Sequence, residues 1–275
     1  MVVTQTLAAT SISTIRCVFN EAFSDYEVPV QMNEDQFHLH LESLGYSPED
    51  SLGLFADALL VGFLLIARRG NIAYDCGTGI IPTYRGKRFG HLLLEQGFQH
   101  LSKQGCTTFL LEVLDTNTRA KTLYAAHGCK EKRKLFCYKA QRQTVAEKPN
   151  TLTLCNQTTT HIPDNPYAPS WQNSTQSILE GAYSIQDIMK NGQPIGVVCY
   201  RPSTGSIAQI YLKEPYWNIE YCKQAIVSCA HNANSNALRC INVDNSNQVL
   251  IKTLESLDFI QFTSQSEMVA DLGTV

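Results

Sequence analysis

Apolar positions in the first 140 residues switch between helical and strand spacing, and the switches outline an alternating succession of elements. Val2–Leu7 reads as a short strand, and Ser11–Phe23 as a helix with Ile12, Ile15, Val18 and Phe23 on or near one face. Asn33–Leu44 follows as a second helix, with Asn33 as its N-cap and Gly45 just past its end. Strands are predicted at Ser51–Phe55, Leu59–Arg68 and Asn71–Ile81, then a helix at Gly90–Lys103 closed by Gly105. Thr107–Leu114 is a strand with a continuous apolar run, the pattern of a buried, partly parallel sheet. A helix at Thr118–His127, stopped by Gly128, and a strand at Lys134–Lys139 follow. This order predicts the α/β class (α+β in some schemes), a mixed central sheet flanked by helices.

From Ala140 to about Pro169 the pattern lapses into Thr, Asn, Gln and Pro, which reads as a linker with one short strand at Thr151–Leu154. Strands then resume near Tyr183–Met189, Pro194–Tyr200 and Ser206–Leu212. A helix at Glu220–His231, a strand at Ala237–Val243, a helix at Gln248–Leu257 and a strand at Ile260–Ala270 follow. Asn117, Ala120, Leu123, Tyr124, Gly128 and Cys129 stand at offsets 0, 3, 6, 7, 11 and 12 of a strand–turn–helix–turn unit. The same offsets from Asn247 give Leu250, Thr253, Leu254, Asp258 and Phe259, which supports a duplication with a drifted second copy. The expected organisation is a first domain at 1–142, a linker at 143–168 and a second domain at 169–275.

Composition narrows the class without naming a chemistry. An apolar content of 44% and a net charge of −3 describe an ordinary globular chain with no pull toward nucleic acid or a membrane surface. The apolar run Ala58–Ala67 is of strand length and interrupted by Gly62, so no membrane span is expected. Met1–Val2–Val3–Thr4 lacks the order of a signal peptide, which favours a cytoplasmic location. Ten cysteines are scattered without a Cys-x-x-Cys pair, several inside apolar strands (Cys76, Cys137, Cys199, Cys240), so reduced thiols are expected. No His/Cys cluster has ligand spacing, and no metal is expected.

The candidate chemistry begins at Gly79–Ile80–Ile81–Pro82–Thr83–Tyr84–Arg85–Gly86–Lys87–Arg88–Phe89–Gly90, which joins a strand to a helix. Small residues let backbone N–H groups approach a ligand, the helix start adds a positive dipole end, and Arg85, Lys87 and Arg88 add three cations. The arrangement suits a pyrophosphate. The segment resembles the signature Arg/Gln-x-x-Gly-x-Gly/Ala of the GNAT superfamily of N-acetyltransferases, with Arg85 first and Gly90 last. Ile80-x-Pro82 resembles the strand end where that family pairs backbone with the pantetheine arm. Asn117-x-x-Ala120-x-x-Leu123–Tyr124, then Gly128, resembles its second hallmark, and the resemblance covers about residues 1–140. One position departs: Arg88 stands where the signature has glycine, and its side chain either crowds the pyrophosphate or points outward as a further cation.

The resemblance implies the GNAT fold, acetyl-CoA as co-substrate and direct acetyl transfer to an amine. It implies cofactor contacts at Gly79, Ile80, Ile81, Arg85, Gly86, Lys87, Arg88, Phe89, Gly90, His91, Asn117 and Tyr124. Tyr124 is expected to protonate the leaving thiolate, a role that suits a phenol. Glu112 leads as the base, being a carboxylate among apolar neighbours whose burial raises its pKa; Leu111–Glu112–Val113 with Tyr124 is similar to the bacterial N-terminal alanine acetyltransferases. Asp75 and a water chain stay open as alternative bases. His127, next to the helix-ending Gly128, reads as structural.

The second copy has Tyr211–Leu212–Lys213–Glu214–Pro215–Tyr216–Trp217 in place of the glycine loop, and Leu254 in place of Tyr124. It resembles the degenerate half of a tandem acetyltransferase, serving to bury apolar surface, shape the acceptor cleft or mediate homodimerisation. The expected acceptor is a primary amine, on a small molecule or on a peptide or protein N-terminus or lysine. An acidic stretch within 25–50 (Glu34, Asp35, Glu42, Glu49, Asp50) favours a cationic one. The rival expectation is a non-enzymatic acyl-CoA-binding or sensing module.

Overall fold

The computed structural model describes residues 1–26, 30–157 and 161–273. Positions 27–29, inside the stretch expected to face the acceptor, and 158–160, inside the expected linker, lie outside the described residues, as do 274–275. The chain forms two compact units, one of residues 1–132 with 267–275, the other of residues 133–266.

Unit 1 begins with β1 (Val2–Thr6), α1 (Ile12–Ala22) and α2 (Glu34–Leu44). Asn33 caps α2 in a reciprocal capping box with Gln36, and Gly45 ends it in the left-handed conformation that glycine adopts most easily. Then come β2 (Leu52–Ala56), β3 (Leu59–Arg69), β4 (Ile72–Ile80), α3 (Phe89–Lys103), β5 (Thr108–Leu114) and α4 (Thr118–Ala126). β1 to β4 pair antiparallel in sequence order, while β4 and β5 run parallel. Phe63, Leu64, Leu65 and Ile66 of β3 are all fully buried. Burial of such side chains stabilises by about 2 kcal/mol each. Phe63 stacks on Phe19 of α1 at 5.6 Å, and a Cβ on Gly97 of α3 would meet Leu64 at 2.4 Å, so helices cover both faces.

Unit 2 holds residues 133–141 of β6 (Lys130–Gln141), then α5 (Arg142–Ala146), β7 (Thr153–Asn156), α6 (Thr175–Glu180), β8 (Ser184–Lys190), β9 (Gln193–Arg201) and β10 (Ser206–Leu212). α7 (Ile219–Asn232), β11 (Ala237–Asp244), α8 (Gln248–Ser256) and the first part of β12 (Ile260–Asp271) complete it. Within it the strand order is β6-β11-β10-β9-β8-β7, in which β10–β11 runs parallel and the other described pairs antiparallel.

These units differ from the boundaries expected at 142 and 169. The expected linker carries α5 and β7, and Val145 and Leu152 enter the core of unit 2. The end of β12 belongs to unit 1, because Met268, Ala270 and Leu272 alternate into its core. Leu272 N–H donates to the Thr107 carbonyl at 2.8 Å. Composition cannot reveal this exchange, since alternation shows that a strand has a buried face and not which core receives it.

Candidate active site

β4 and β5 pair only from Ile72–Tyr74 to Thr108–Leu110. Beyond that point each continues without the other, β4 to Ile80 and β5 to Leu114, so the sheet opens into a V. A bulge at Cys76 interrupts β4 where the strands part, since Ile66 pairs with Asp75 and Leu65 with Gly77. The bulge turns Asp75 inward, and the residue is 7% exposed.

Three donors hold that carboxylate. Gly77 N–H donates to Oδ1 at 2.8 Å, while Thr78 Oγ1 at 2.7 Å and the Tyr124 hydroxyl at 2.8 Å donate to Oδ2. Burial raises the Asp75 pKa to about 6 against the opposing pull of these hydrogen bonds. Burial, and next the Asp75 charge, drive the Tyr124 phenol well above its ordinary value, so it keeps its proton. A carboxylate able to take a proton near neutrality thus touches a phenol able to give one.

Glu112 lies elsewhere. Phe109, Leu111 and Val113 are buried and Leu110, Glu112 and Leu114 half-buried, as the alternation predicts. Tyr74 of β4 donates its hydroxyl to Glu112 Oε2. The structure therefore brings Asp75, not the leading candidate Glu112, to Tyr124. Spacing along one strand could not show this, because the contact depends on the bulge in another.

The loop residues divide by role. Ile81 N–H donates to Val61 of β3 at 3.0 Å, so by strand alternation the N–H and carbonyl of Ile80 face away from β3, toward the opening. Gly79 is glycine because a Cβ would sit 2.6 Å from the Phe63 ring and 3.0 Å from Ala22, a packing reason. A Cβ on Gly90 would meet Leu123 of α4 at 3.0 Å. Gly86 (φ 79°) and Arg88 (φ 62°) take the left-handed turn that aims α3, so Arg88 adopts the backbone its glycine counterpart would. Its side chain is exposed, as is that of Lys87, which lies over the Tyr84 ring at 5.1 Å. Ile81 is buried, and Phe89 and His91 open the first turn of α3, where N–H groups lack intrahelical partners.

Arg85, expected at the phosphate, is engaged by protein groups. Its guanidinium donates to the Ile80 carbonyl at 2.9 Å, the Ala22 carbonyl at 2.7 Å and both oxygens of Asp25 at 2.6 and 3.0 Å. This fork fastens the end of α1 to the end of β4, and it lowers the Asp25 pKa. Asn117 caps α4 by accepting from Ala120 N–H at 3.0 Å, and donates to the Tyr26 hydroxyl at 2.6 Å. Tyr26, Tyr74 and Thr78 are site residues that sequence reasoning missed; only proximity marks them. His91 Nδ1 lies 3.1 Å from His127 Nε2, and burial, then the nearby His91, lowers the His127 pKa. Of the acidic stretch, Asp50 is buried against Ser47 and Arg68, while Glu34 and Asp35 occupy the first turn of α2, where negative charge suits the helix dipole.

One end of this opening holds exposed cations at a helix start and the other a hydrogen-bonded carboxylate–phenol pair. Residues 14–129 match the acetyltransferase (GNAT) family and form a domain of that family. Unit 1 is thus an acetyltransferase domain, of a family whose general activity is acyl-CoA-dependent acetyl transfer. A GCN5-related N-acetyltransferase from Sphaerobacter thermophilus is similar in fold, with TM-score 0.70 and 11% identity over 98% of this chain and 96% of that one. A tandem GNAT protein from the clavulanic acid biosynthesis pathway gives 0.69 and 13% over all of both chains. A putative acetyltransferase from Pyrococcus horikoshii gives 0.68 and 12% over 98% and 89%. At such identities the likeness is one of fold. A search of curated proteins finds no significant match.

Proposed function

We propose that unit 1 transfers an acetyl group from acetyl-CoA directly to a primary amine, with Asp75 as base and Tyr124 as acid. The single observation that carries this reading is the 2.8 Å hydrogen bond from Tyr124 to Asp75 where β4 and β5 diverge. Acetyl-CoA supplies the thioester-activated acyl group. The residues present fit it: the opened strands accept an arm, and the first turn of α3 with exposed Lys87 and Arg88 suits a pyrophosphate.

The Ile80 N–H faces the opening and can donate to the developing oxyanion. The proton the amine nitrogen loses passes to Asp75, and the proton the sulfur gains comes from Tyr124. Asp75 restores Tyr124 through the hydrogen bond that already joins them. Proton count then closes within the pair, N–C forming as C–S breaks. Tyr26 and Asn117 brace the α1 side of the same opening.

Free-thiol release from acetyl-CoA across a panel of amines, peptides included, tests this reading. Tyr124→Phe and Asp75→Asn should each lower kcat by about 100-fold or more, within the range for lost acid–base catalysis, and Glu112→Gln by much less. A larger loss in Glu112→Gln than in Asp75→Asn would return the base role to Glu112. Acetyl-CoA binding without thiol release on any amine would support the sensing alternative.

A further inference from the structure

Unit 2 repeats the opened sheet. β10 and β11 pair only at Ser206 and Arg239 and then part, and a bulge at Ala208 matches that at Cys76. Here, however, the opening is filled by the chain itself. Asn173 Nδ2 donates to the Ile241 carbonyl of β11 at 2.8 Å, and Gln209 Nε2 of β10 donates to the Asn173 carbonyl at 2.6 Å. Asn242 Nδ2 donates to Ser170 Oγ at 3.3 Å, and Asn165 Nδ2 to the Ile210 carbonyl at 3.4 Å. Arg133, paired with Asp244 at the end of β11 at 2.8 Å, donates to the carbonyls of Ala168 and Pro169. Both splayed strands are thus stitched to one short segment.

The contacts are internal. Ser170, Asn173, Gln209 and Asn242 are each at most 6% exposed, and Trp171 is buried beside them. Buried amides persist only with partners, so withdrawal of the segment would strand at least the Gln209 and Asn242 donors and the Ile241 carbonyl. Asn242 holds a left-handed backbone (φ 57°) in the same place, a conformation the surrounding contacts must maintain. Meanwhile the helix that opens beside this cleft, α7, follows Glu214, Pro215, Tyr216 and Trp217, with no glycine turn.

We propose that the V of unit 2 is a peptide-binding groove whose resident ligand is residues 165–173 of the same chain, and that the protein therefore binds one acyl-CoA, in unit 1. The second clause rests on the acyl-CoA assignment to unit 1. The segment takes the place between the strands that the acyl carrier takes in the other copy, and hydrogen-bonds the same two edges.

Calorimetric titration of the full chain with CoA, combined with hydrogen exchange, tests both parts. The expected stoichiometry is one. The amides of Tyr167 and Asn173, which donate to Asn165 Oδ1 and the Ser170 carbonyl, should exchange as slowly as those of β10 and β11, with or without CoA. A stoichiometry of two, or loss of their protection on adding CoA, would overturn the resident-ligand proposal. No binding at all, with protection intact, would sink the function assigned to unit 1 while supporting the groove. Rapid exchange in the free protein would overturn the groove whatever the stoichiometry. The double variant N173A/Q209A should speed exchange of those two amides at least tenfold and leave CoA binding to unit 1 unchanged.

Discussion

Asn117 and Asn247 stand at the start of two helices with almost the same backbone, φ −83° and ψ 67° against φ −78° and ψ 70°. Each accepts a hydrogen bond from the N–H three residues on, at 3.0 and 3.1 Å. Ten residues later His127 and Leu257 close the two helices at φ −103°, ψ 19° and φ −103°, ψ 18°. Local structure has survived duplication nearly unchanged, yet the chemistry around it has gone. Where the first copy has Tyr124, Asp75 and Glu112, the second has Leu254, Ile207 before its bulge and Asn242. The caps and turns that make a strand–turn–helix are therefore separable from the groups that make it a catalyst. With Ile207 in the place of Asp75 and no glycine turn before α7, the opening of unit 2 is occupied by the chain itself.

The comparison is sharpest at the paired positions 124 and 254. Leu254 is fully buried in unit 2, so Leu254→Ala should cost about 2–5 kcal/mol of stability. It should leave kcat per folded molecule unchanged, whereas Tyr124→Phe does the reverse. Denaturant unfolding and thiol release on both variants would decide, and a large kcat loss in Leu254→Ala would break the division of roles.

Asp75 predicts a pH effect of defined sign. Its pKa is raised in the folded chain, from 3.8 to about 6, so folding binds a proton between those values. Its relative stabilisation is fully present below 3.8 and is lost as pH rises through about 6, by roughly 3 kcal/mol at most. Unfolding free energy should therefore fall from pH 4 to 7 in the wild type relative to Asp75→Asn. Parallel curves for the two proteins would contradict a buried, raised carboxyl. On the same grounds kcat/KM should rise with pH through about 6 as Asp75 ionises.

Arg85 separates the motif expectation from the observed clamp. Arg85→Gln should raise KM for the amine several-fold, because the end of α1 and the Tyr26 strap are released, with the acetyl-CoA Kd little changed. A large rise in the acetyl-CoA Kd with amine KM unaltered would restore Arg85 to the phosphate site. The smallest effect is at Arg88, whose left-handed backbone Arg88→Gly would relax, by about 1 kcal/mol. Loss of an exposed cation should weaken acetyl-CoA binding a few-fold, so thermal stability and acetyl-CoA affinity should move in opposite senses.

Much of this was legible in the residues alone. Asn33 and Gly45 announced the ends of α2, the continuous apolar run at 107–114 announced a parallel strand, and the offsets around Asn117 and Asn247 announced the repeat. Each signal is local, a cap, a period or a turn, whose energetics depend on a few consecutive side chains. In the polar stretch after Ala140 the strand expected at Thr151–Leu154 overlaps β7, whereas α5, at five residues, is too brief to develop a period and escaped notice.

Tertiary structure decided which carboxylate meets Tyr124, that Arg85 grips Asp25, which core receives Met268, Ala270 and Leu272, and what fills the second opening. Those outcomes rest on a one-residue bulge and on contacts between residues 36 to 72 positions apart, or on a strand's choice between two apolar cores. Side-chain period is indifferent to all three, because it records that a face is buried and carries no information about the partner that buries it.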